Sequence, residues 1–272
     1  MLELIVENAQ SLKQFTDNSY AQASFFFSAL LKNREIKVNG KKVGEDIFLV
    51  AGDTVCYYLT KKQQEKAAFY FVYEDENILI IDKESGVNSE AVFAALSREG
   101  EYYFIHRLDR NTRGLMAFAK TREAERELFA AFKNHTLKKV YHAVCFRVPS
   151  EPQSVLTAYL KKDENKAAVK VFSKPTAGAE KIVTEYKILE SAADTAKLEI
   201  VLHTGKTHQI RAHLAFIGCP IAGDMKYGDS KANKDKKLSR QLLVAKKLQF
   251  AFAGTLSYLN EKIFVSQFEL TL

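Results

Sequence analysis

Cysteine is scarce in this chain of 272 residues, and its spacing excludes the usual cysteine-based sites. Cys56, Cys145 and Cys219 are odd in number and far apart, with no CxxC pair among them. A disulfide framework needs an even set of cysteines, and a zinc knuckle needs close pairs. We therefore expect three reduced and mostly buried thiols in the cytoplasm.

Long apolar runs and a secretory leader are also missing. No window of the sequence approaches the roughly 18 uncharged apolar residues that a membrane-spanning helix requires. The N-terminal MLELIVENAQ carries acidic instead of basic residues ahead of an apolar stretch, unlike a signal peptide. The prediction is a cytoplasmic protein without a membrane partner.

Two nucleotide-binding motifs are incomplete, which argues against two enzyme classes. Gly205-Lys206-Thr207 is similar to the end of a phosphate-binding loop, but the first glycine of that motif would fall at Ile200. His106 to Asp109 reads HRLD instead of the kinase order HRDL, and neither DFG nor GxGxxG occurs. Neither a P-loop NTPase nor a kinase is expected.

A histidine trio, His203, His208 and His213, does not have metal-ligand spacing. Steps of five residues place the three side chains on different faces of a helix or a strand. Helical metal ligands are instead three or four residues apart. We expect no metal site.

Positive charge is what the chain has in excess. The 40 Lys and Arg against 33 Asp and Glu give a net charge of +7, a balance that leans toward polyanionic partners. Residues 32–42, KNREIKVNGKK, hold five positive charges and one negative around a β-turn. Residues 229–247 hold seven against two, and there a phosphate contact and an ordinary solvated loop stay equally open.

The first 59 residues have the pattern of a small complete unit. A strand-like LELIV and a polar stretch precede a helix from Ala21 to Leu31, and alternating β-runs follow around Asn39-Gly40. Residues 61–66, KKQQEK, are polar and lack periodicity, which favours a linker. We place a helix-plus-hairpin module at residues 1–62 and a larger domain at residues 66–272.

The larger domain is rich in strands. FYFVYEDENILIIDK reads as two strands around a turn, residues 121–133 as an amphipathic helix, and further strands follow at VYHAVCF, IVTEYKIL, AKLEIVLH and IFVSQFEL. No repeat of fixed period is visible. Many strands with few helices predict an α+β domain on a mixed, largely antiparallel sheet.

Residues 104–120, FIHRLDRNTRGLMAFAK, set one carboxylate in a polar loop between two apolar runs. Arg107, Arg110 and Arg113 crowd around Asp109 in sequence, and nearby guanidinium groups favour the ionised carboxylate. An ionised aspartate acts as a nucleophile or a base. Basic neighbours also suit a polyanionic substrate.

Three further blocks accompany HRLDRNTRG at 106–114: KVY at 139–141, HTGKTHQIRAH at 203–213 and GCPIAGDMKYG at 218–228. In this order and at these separations they resemble the RluA-type family of RNA pseudouridine synthases, whose patterns are HRLDxxTSG, KxY, TGRTHQIRxH and GxPIxGDxxYG. The likeness covers about residues 68–272. On a shorter pattern, the N-terminal module resembles the S4 RNA-binding domain.

The resemblance implies a reaction. Such enzymes break the N1–C1′ bond of uridine, turn the base and join C5 to C1′, and this isomerisation needs no metal, cofactor or redox change. Asp109 is then the essential aspartate, Arg211 its ion-pair partner, and Tyr141 the ring that stacks on the target base. Arg107 fills the space of the flipped base, because a stacked nucleotide keeps C1′ and C5 out of reach.

The other expected RNA contacts lie in these blocks and in the N-terminal module. They are Arg110, Thr112, Lys139, Lys206, His208, Gln209, Arg34, Lys37, Asn39 and Lys41. Taken by themselves, Arg211 also fits a surface arginine on a helix beginning near Thr207 and ending at Gly218, and Tyr141 fits packing in a core strand.

Three positions depart from the family patterns. Arg113 stands in place of the serine of TSG, Lys206 in place of an arginine, and Glu84 in place of the proline of an early KPxG motif. An added guanidinium beside Asp109 would either bind another phosphate or distort the loop.

The predicted function is an RNA pseudouridine synthase for specific uridines in structured RNA. Ribosomal RNA is favoured over transfer RNA because of the S4-like module, although recognition depends on RNA shape. The alternative is a non-catalytic RNA-binding assembly factor that keeps the scaffold. We expect a monomer with no obligate protein partner.

Overall fold

The structure is a computed structural model that describes residues 1–163 and 168–271. Within these ranges it contains 17 β-strands, seven α-helices and one 3-10 helix (Thr255–Leu259). The strands are β1 (Leu2–Ile5), β2 (Gln10–Ser11), β3 (Ile36–Val38), β4 (Lys41–Val43), β5 (Phe48–Leu49), β6 (Thr54–Tyr57), β7 (Phe69–Glu74), β8 (Ile78–Lys83), β9 (Tyr103–Phe104), β10 (Arg113–Ala119), β11 (Lys138–Phe146), β12 (Gln153–Asp163), β13 (Ala168–Phe172), β14 (Glu180–Ala192), β15 (Thr195–Leu202), β16 (Leu243–Gln249) and β17 (Ile263–Val265). The helices are α1 (Leu12–Ser19), α2 (Ala21–Lys32), α3 (Lys61–Glu65), α4 (Ser89–Glu99), α5 (Arg122–Asn134), α6 (Gln209–Phe216) and α7 (Ser230–Asp235).

The N-terminal part has a small sheet in the order β1-β6-β3-β4, packed against α1 and α2. The β3–β4 hairpin turns at Asn39 and Gly40, both with positive φ (49° and 76°), as a two-residue hairpin requires. The helix from Ala21 and the hairpin are as predicted. Helix α1 was missed, because its sequence LKQFTDNS reads as polar; it buries Leu12, Phe15 and Thr16.

The stretch predicted as a periodless linker contains a short helix, α3. Its first turn is closed by a capping box in which Thr60 and Gln63 bond each other's backbone and side chain. Gln22 Nε2 in α2 donates to the carbonyl of Lys66 at 2.9 Å. Phe25 of α2 packs in one apolar cluster with Leu79 and Met116, so the N-terminal part and the large sheet share packed surface.

The large sheet has 11 strands, with the main order β13-β12-β14-β15-β11-β16-β10-β8-β7; β9 pairs with β10 and β17 with β16. Its recorded pairings are antiparallel except for the parallel pair β10–β16. The prediction of an α+β fold on a mixed, largely antiparallel sheet is confirmed.

Alternation along β8 shows how the sheet separates its two faces. Ile78 and Ile80 pack with α5 and the C-terminal strands, whereas Leu79 and Ile81 pack with α4 on the other face. Helix α5, close to the predicted 121–133, covers the first face. The α4 helix, which was not predicted, covers the second and begins directly beside the Asp109 loop.

None of the helices in the described ranges is long and apolar enough to cross a membrane.

Candidate active site

One cavity of about 820 Å³ gathers the residues that the four sequence blocks singled out. Its lining includes all ten of the predicted site residues from the large domain: Arg107, Asp109, Arg110, Thr112, Lys139, Tyr141, Lys206, His208, Gln209 and Arg211. These residues span more than 100 positions of sequence, and the fold of the sheet brings them together. The predicted N-terminal residues do not line this cavity.

Hydrogen bonds to the backbone fix the Asp109 loop on both sides of the carboxylate. On one side Ser89 Oγ, at the start of α4, accepts from the amide of Leu108 at 3.0 Å and donates to its carbonyl at 2.9 Å. On the other, the amide of Thr112 donates to the carbonyl of Asp109 at 3.0 Å. The loop then enters β10 at Gly114, where φ is 114° and a Cβ atom would lie 2.4 Å from the carbonyl oxygen of Ala245, so only glycine fits.

Arg211 is the direct partner of Asp109. Its Nη1 donates to Asp109 Oδ2 at 2.7 Å, while Nε and Nη2 donate to the two carboxylate oxygens of Asp224 at 2.7 and 3.0 Å. Arg211 is 8% exposed, so it is not the ordinary surface arginine that the sequence left open. A guanidinium fixed by one carboxylate presents its remaining edge to the other in a defined direction.

Electrostatics reinforce this arrangement. Burial by itself would lower the pKa of Arg211, but the hydrogen bonds and charges of Asp224 and Asp109 outweigh burial and raise it. Burial would raise the pKa of Asp224, but the bonds and charge of Arg211 and the amides of Lys226 and Tyr227 bring it below its usual value. Arg211 and Asp224 are therefore both charged at neutral pH.

His208 lies near the same carboxylate oxygen of Asp109 that Arg211 contacts. Its Nε2 lies 3.8 Å from Asp109 Oδ2, and its Nδ1 is 2.8 Å from the hydroxyl of Tyr227. The backbone of His208 is left-handed (φ 56°), and α6 begins after it, at Gln209. Burial lowers the pKa of His208, although the charge of Asp109 opposes this. A mostly neutral imidazole therefore faces the carboxylate at neutral pH.

Tyr141 projects from β11 into the same cavity. It contacts both apolar clusters that flank the site, and it is only partly exposed. Burial, with the charge of Asp109 adding to it, raises the pKa of the phenol above its ordinary value. The phenol hydroxyl therefore stays protonated and uncharged at neutral pH, and the ring offers a flat face beside Asp109.

Lys139 and His106 form part of the cavity wall together with Phe132. The imidazole of His106 stacks on the ring of Phe132 at 4.0 Å between centroids, and Lys139 Nζ lies 5.7 Å from the same ring. His106 Nε2 accepts from the amide of Ala117 at 3.0 Å, and burial, together with the charge of Lys139, lowers its pKa to about 3. Lys139, at 7% exposed, brings a cation to this wall.

The sequence interpretation of three arginines crowded around Asp109 does not hold for two of them. Arg107 points to solvent and forms an ion pair with Glu90 at 2.9 Å, and Arg113 pairs with Glu84 at 3.2 Å. Among the described residues, Asp109 forms an ion pair with Arg211, and the imidazole of His208 lies 3.8 Å from its Oδ2. The reason is that Arg113 already belongs to β10, whose direction carries its side chain away from the loop.

Three predicted RNA contacts have side chains that bond within the protein. Thr112, 3% exposed, accepts from Gln241 Nε2 at 2.7 Å. Gln209, 2% exposed, donates to the carbonyl of Val183 and to Thr184, and accepts from Thr204, so its amide supports the loop before α6. These bonds argue against direct RNA contacts by Thr112 and Gln209. Lys206 Nζ forms an ion pair with Glu180 at the cavity rim.

In the N-terminal module the predicted residues lie around the β3–β4 hairpin. Asn39 uses its amide in the turn, donating to Asp53 at 2.7 Å and accepting from the amide of Thr54 at 2.9 Å, so its role is structural. Lys41 is exposed, and Lys37 Nζ lies over the ring of Tyr58 at 5.2 Å. Arg34 has a left-handed backbone (φ 54°) after α2.

The fold separates the members of two other groups that the sequence singled out, the basic stretch 229–247 and the histidine trio. Lys246, in the basic stretch 229–247, is 5% exposed and donates to Ser266 and Phe268 carbonyls, so it is not free for phosphate. The three histidines of the trio have separate partners: His203 contacts Glu185, His208 contacts Tyr227, and His213 contacts Thr184.

Sequence reasoning missed four residues that shape the site. Asp224 and Tyr227 belong to the GDMKYG block that had been matched, yet only their positions in space reveal what they hold. Ser89 gave no signal beyond its place at a helix start. Lys83, completely buried, donates to the carbonyls of Glu84, Val87 and Arg110, and burial lowers its pKa to about 7.

Comparisons with known sequences find a matching family and similar proteins. The sequence model of a family described as RNA pseudouridylate synthase matches residues 77–216. The chain is 30% identical over 231 residues to ribosomal large subunit pseudouridine synthase C of Rickettsia bellii, covering 74% of this chain and 76% of the relative. It is 32% identical over 228 residues to the protein of the same name from Vibrio cholerae, covering 74% and 70%.

A solved structure gives the same fold. Human RNA pseudouridylate synthase domain containing 1 superposes with a TM-score of 0.60 at 22% identity, covering 68% of this chain and 79% of the human chain.

Proposed function

This chain belongs to the RNA pseudouridylate synthase family, and we propose that it isomerises specific uridines of large-subunit ribosomal RNA with Asp109 as the essential carboxylate. The observation that carries the proposal is the Asp109–Arg211 contact at the floor of the cavity. The choice of ribosomal over transfer RNA is supported by relatives named for the large ribosomal subunit.

The reaction replaces the N1–C1′ bond by a C5–C1′ bond, with loss of a proton from C5 and gain of a proton at N1. The N1–C1′ bond of the uridine breaks, the base turns, C5 bonds to C1′, the C5 proton leaves, and N1 ends with a proton. No electrons are gained or lost. Asp109, held beside Arg211, either bonds to the sugar or the base or removes a sugar proton, and each route needs the carboxylate close to the N1–C1′ bond. Arg211 keeps that carboxylate oriented.

Other cavity residues receive roles that follow from their chemistry. Tyr141 stacks on the turned base, because a flat uncharged ring beside the carboxylate suits a pyrimidine face. Arg107, with a side chain 69% exposed at the mouth, occupies the gap that the flipped nucleotide leaves in the RNA. Lys139, Lys206 and Arg110 contribute positive charge for the flanking phosphates.

The N-terminal module, residues 1–62, acts as an S4-like RNA-binding domain joined to a catalytic domain at residues 66–272. Support comes from its helix pair and hairpin, and from the exposed cations Arg34 and Lys41 and the half-buried Lys37 around the hairpin. It positions structured RNA while the catalytic domain engages a single uridine. The protein works as a cytoplasmic monomer.

The alternative, a non-catalytic assembly factor, loses its main argument. That reading rested on Arg113 and Glu84 disturbing the loop, and the two residues instead bond each other while Asp109 keeps its contact with Arg211.

The test is a map of pseudouridine in total RNA from a strain of the source organism that lacks this gene. The RNA is treated with the purified protein, with Asp109→Asn, or with Asp235→Asn, an exposed aspartate outside the cavity, as the matched control. We expect new pseudouridines in large-subunit ribosomal RNA with the wild type and the control, and none with Asp109→Asn. Identical maps for the wild type and Asp109→Asn would overturn the role of Asp109, and sites confined to transfer RNA would overturn the substrate.

A further inference from the structure

Arg113 and Glu84, two of the positions that depart from the family patterns, are bonded to each other. Arg113 Nη2 lies 3.2 Å from Glu84 Oε2, and the carboxylate side chain is only 10% exposed. The register of β8 and β10 pairs Gly114 with Lys83, so the residue before the glycine falls beside the residue after the lysine. Strand pairing therefore creates this contact between residues 29 positions apart in sequence.

The pair closes a ring of bonds around the end of the Asp109 loop. Glu84 Oε2 also accepts from the amide of Ser85 at 3.1 Å, and Ser85 Oγ donates to the carbonyl of Asn111 at 3.1 Å. From Asn111 the chain returns through Thr112 to Arg113. Because Thr112 also donates to the carbonyl of Asp109, a shift of this ring moves the backbone that carries the carboxylate.

Two further bonds tie the same segments. The amide of Gly86 donates to the carbonyl of Arg110 at 2.8 Å, and Lys83 Nζ donates to that carbonyl at 3.2 Å. Residues 83–87 thus bond to residues 110 and 111 at three points, and the ion pair joins the end of β8 to the start of β10, from which both segments emerge.

The pair does not belong to the substrate surface. Neither Glu84 nor Arg113 lines the cavity. Arg113 lies over the ring of Phe268, with Cζ 4.8 Å from the ring centroid, and its Nε is buried without a hydrogen-bond partner in the described ranges. A guanidinium held between a carboxylate and an aromatic ring is poorly placed for a phosphate, the first of the two roles considered for Arg113.

We propose that Glu84 and Arg113 are a positioning pair that holds the Asp109 loop in register with Arg211. The inference rests on the proposed function, because it gives Asp109 the catalytic role. The pair acts on the rate of the chemical step and not on RNA affinity. Misplacing a reacting group by about 1 Å costs on the order of 100-fold in rate, so loosening the loop has a measurable effect even when the protein stays folded.

The test is a double-mutant cycle with Arg113→Gln, Glu84→Gln and the combined variant, alongside Arg113→Lys, which keeps the charge. Single-turnover release of tritium from large-subunit ribosomal RNA transcribed with [5-³H]uridine gives the rate, filter binding gives the RNA Kd, and Tm reports folding. The matched control is Lys197→Gln with Glu190→Gln, a cross-strand ion pair (3.3 Å) in the same sheet that lies outside the cavity.

We expect each neutral variant to slow turnover about tenfold, the combined variant to be no slower than the worse single variant, and Arg113→Lys to retain most of the rate. RNA Kd should stay within about twofold, and the control pair should keep the wild-type rate. Variants that lower Tm without slowing turnover of the folded protein would overturn the inference, as would weaker RNA binding at an unchanged rate, which is the signature of a phosphate contact.

Asp109→Asn, measured in the same assay, separates the two levels of the argument. If it retains turnover, the proposed function fails and this inference falls with it. If it is inactive while every pair variant turns over at the wild-type rate, the positioning pair alone is overturned.

Discussion

Arg211 and Asp224 are joined by two hydrogen bonds, Nε to Oδ2 at 2.7 Å and Nη2 to Oδ1 at 3.0 Å. The carboxylate of Asp224 is buried and also accepts from the amides of Lys226 and Tyr227 at 2.8 and 3.1 Å. Asp224 therefore fixes the plane of the guanidinium from the protein side, and the remaining nitrogen, Nη1, has one direction in which to reach Asp109. Asp109, the proposed catalytic carboxylate, is thus oriented by a buried residue that does not line the cavity.

Replacing Asp224 by asparagine should uncouple this orientation. The amide group of Asp224→Asn would place a donor against the donors of Arg211, so one of the two bonds is lost and the guanidinium gains freedom. We expect turnover to fall about 10- to 100-fold with RNA Kd within about threefold, as for a displaced reacting group. Single-turnover tritium release and filter binding measure the two quantities. A drop in affinity with an unchanged rate would contradict the role.

Arginine at position 211 should not be replaceable by lysine. A lysine has one nitrogen where arginine uses three, so Arg211→Lys cannot bridge Asp109 and Asp224 in the same plane. Both Arg211→Lys and Arg211→Ala should lose at least about 100-fold in turnover while RNA affinity changes little, since the charge faces a carboxylate and not a phosphate. Arg110→Lys makes the same replacement at an exposed position of the same cavity and serves as the control. A loss of affinity equal to the loss of rate in Arg211→Ala would refute this reading.

The sequence identified many of the residues that line the cavity, because the motif blocks group them. Strand periodicity and turn residues predicted the hairpin at Asn39-Gly40 and the mixed sheet correctly. Spacing along the chain could not show side-chain direction, however. Arg113 is four residues from Asp109 in sequence, but β10 begins at Arg113 and turns its side chain toward Glu84.

The same limit explains the other errors. Gln209 sits among residues predicted to contact RNA, but α6 begins at this position and the side-chain amide of Gln209 bonds to β14. Helix α1 has few apolar residues, and only tertiary contact with α2 and the small sheet makes its buried face visible. Contacts between segments far apart in sequence, such as Arg211 with Asp109, follow from strand order, which no local pattern contains.

Tyr141 should act through its ring more than through its hydroxyl group. Burial raises the pKa of the phenol above its ordinary value, so the group does not ionise in the range where the enzyme works. Tyr141→Phe should keep turnover within about tenfold, whereas Tyr141→Leu should lose on the order of 10- to 100-fold, because stacking on a base contributes about 1–3 kcal/mol. The two variants are compared by single-turnover tritium release. Equal losses in Phe and Leu variants would assign the function to the hydroxyl group instead.

The hairpin cations should govern affinity and salt dependence, not the rate. Each phosphate contact removed should flatten the plot of log Kd against log salt by about 0.7 to 0.9. We therefore expect Lys37→Gln with Lys41→Gln to weaken RNA binding and reduce the slope, with turnover at saturating RNA unchanged. Lys181→Gln with Lys187→Gln, exposed lysines on β14, is the control of equal charge. An unchanged slope in the hairpin variant would remove this surface from the RNA interface.

His213 should make the fold sensitive to acid. It is 1% exposed, its Nδ1 lies 3.0 Å from Thr184 Oγ1, and burial lowers its pKa from 6.5 to about 4. Between these values the unfolded chain binds a proton that the folded protein does not, so the free energy of unfolding falls as pH drops from 6.5 toward 4. The expected slope is about 1.4 kcal/mol per pH unit within that window.

Urea unfolding at pH 7, 6 and 5 tests this. The difference in free energy of unfolding between wild type and His213→Gln should shift in favour of the variant by about 2 kcal/mol at pH 5. Leu214→Ala, a buried neighbour without a proton to exchange, should lower stability by about 2–5 kcal/mol at every pH. A parallel pH dependence in wild type and His213→Gln would show that this histidine is not what makes the fold acid-sensitive.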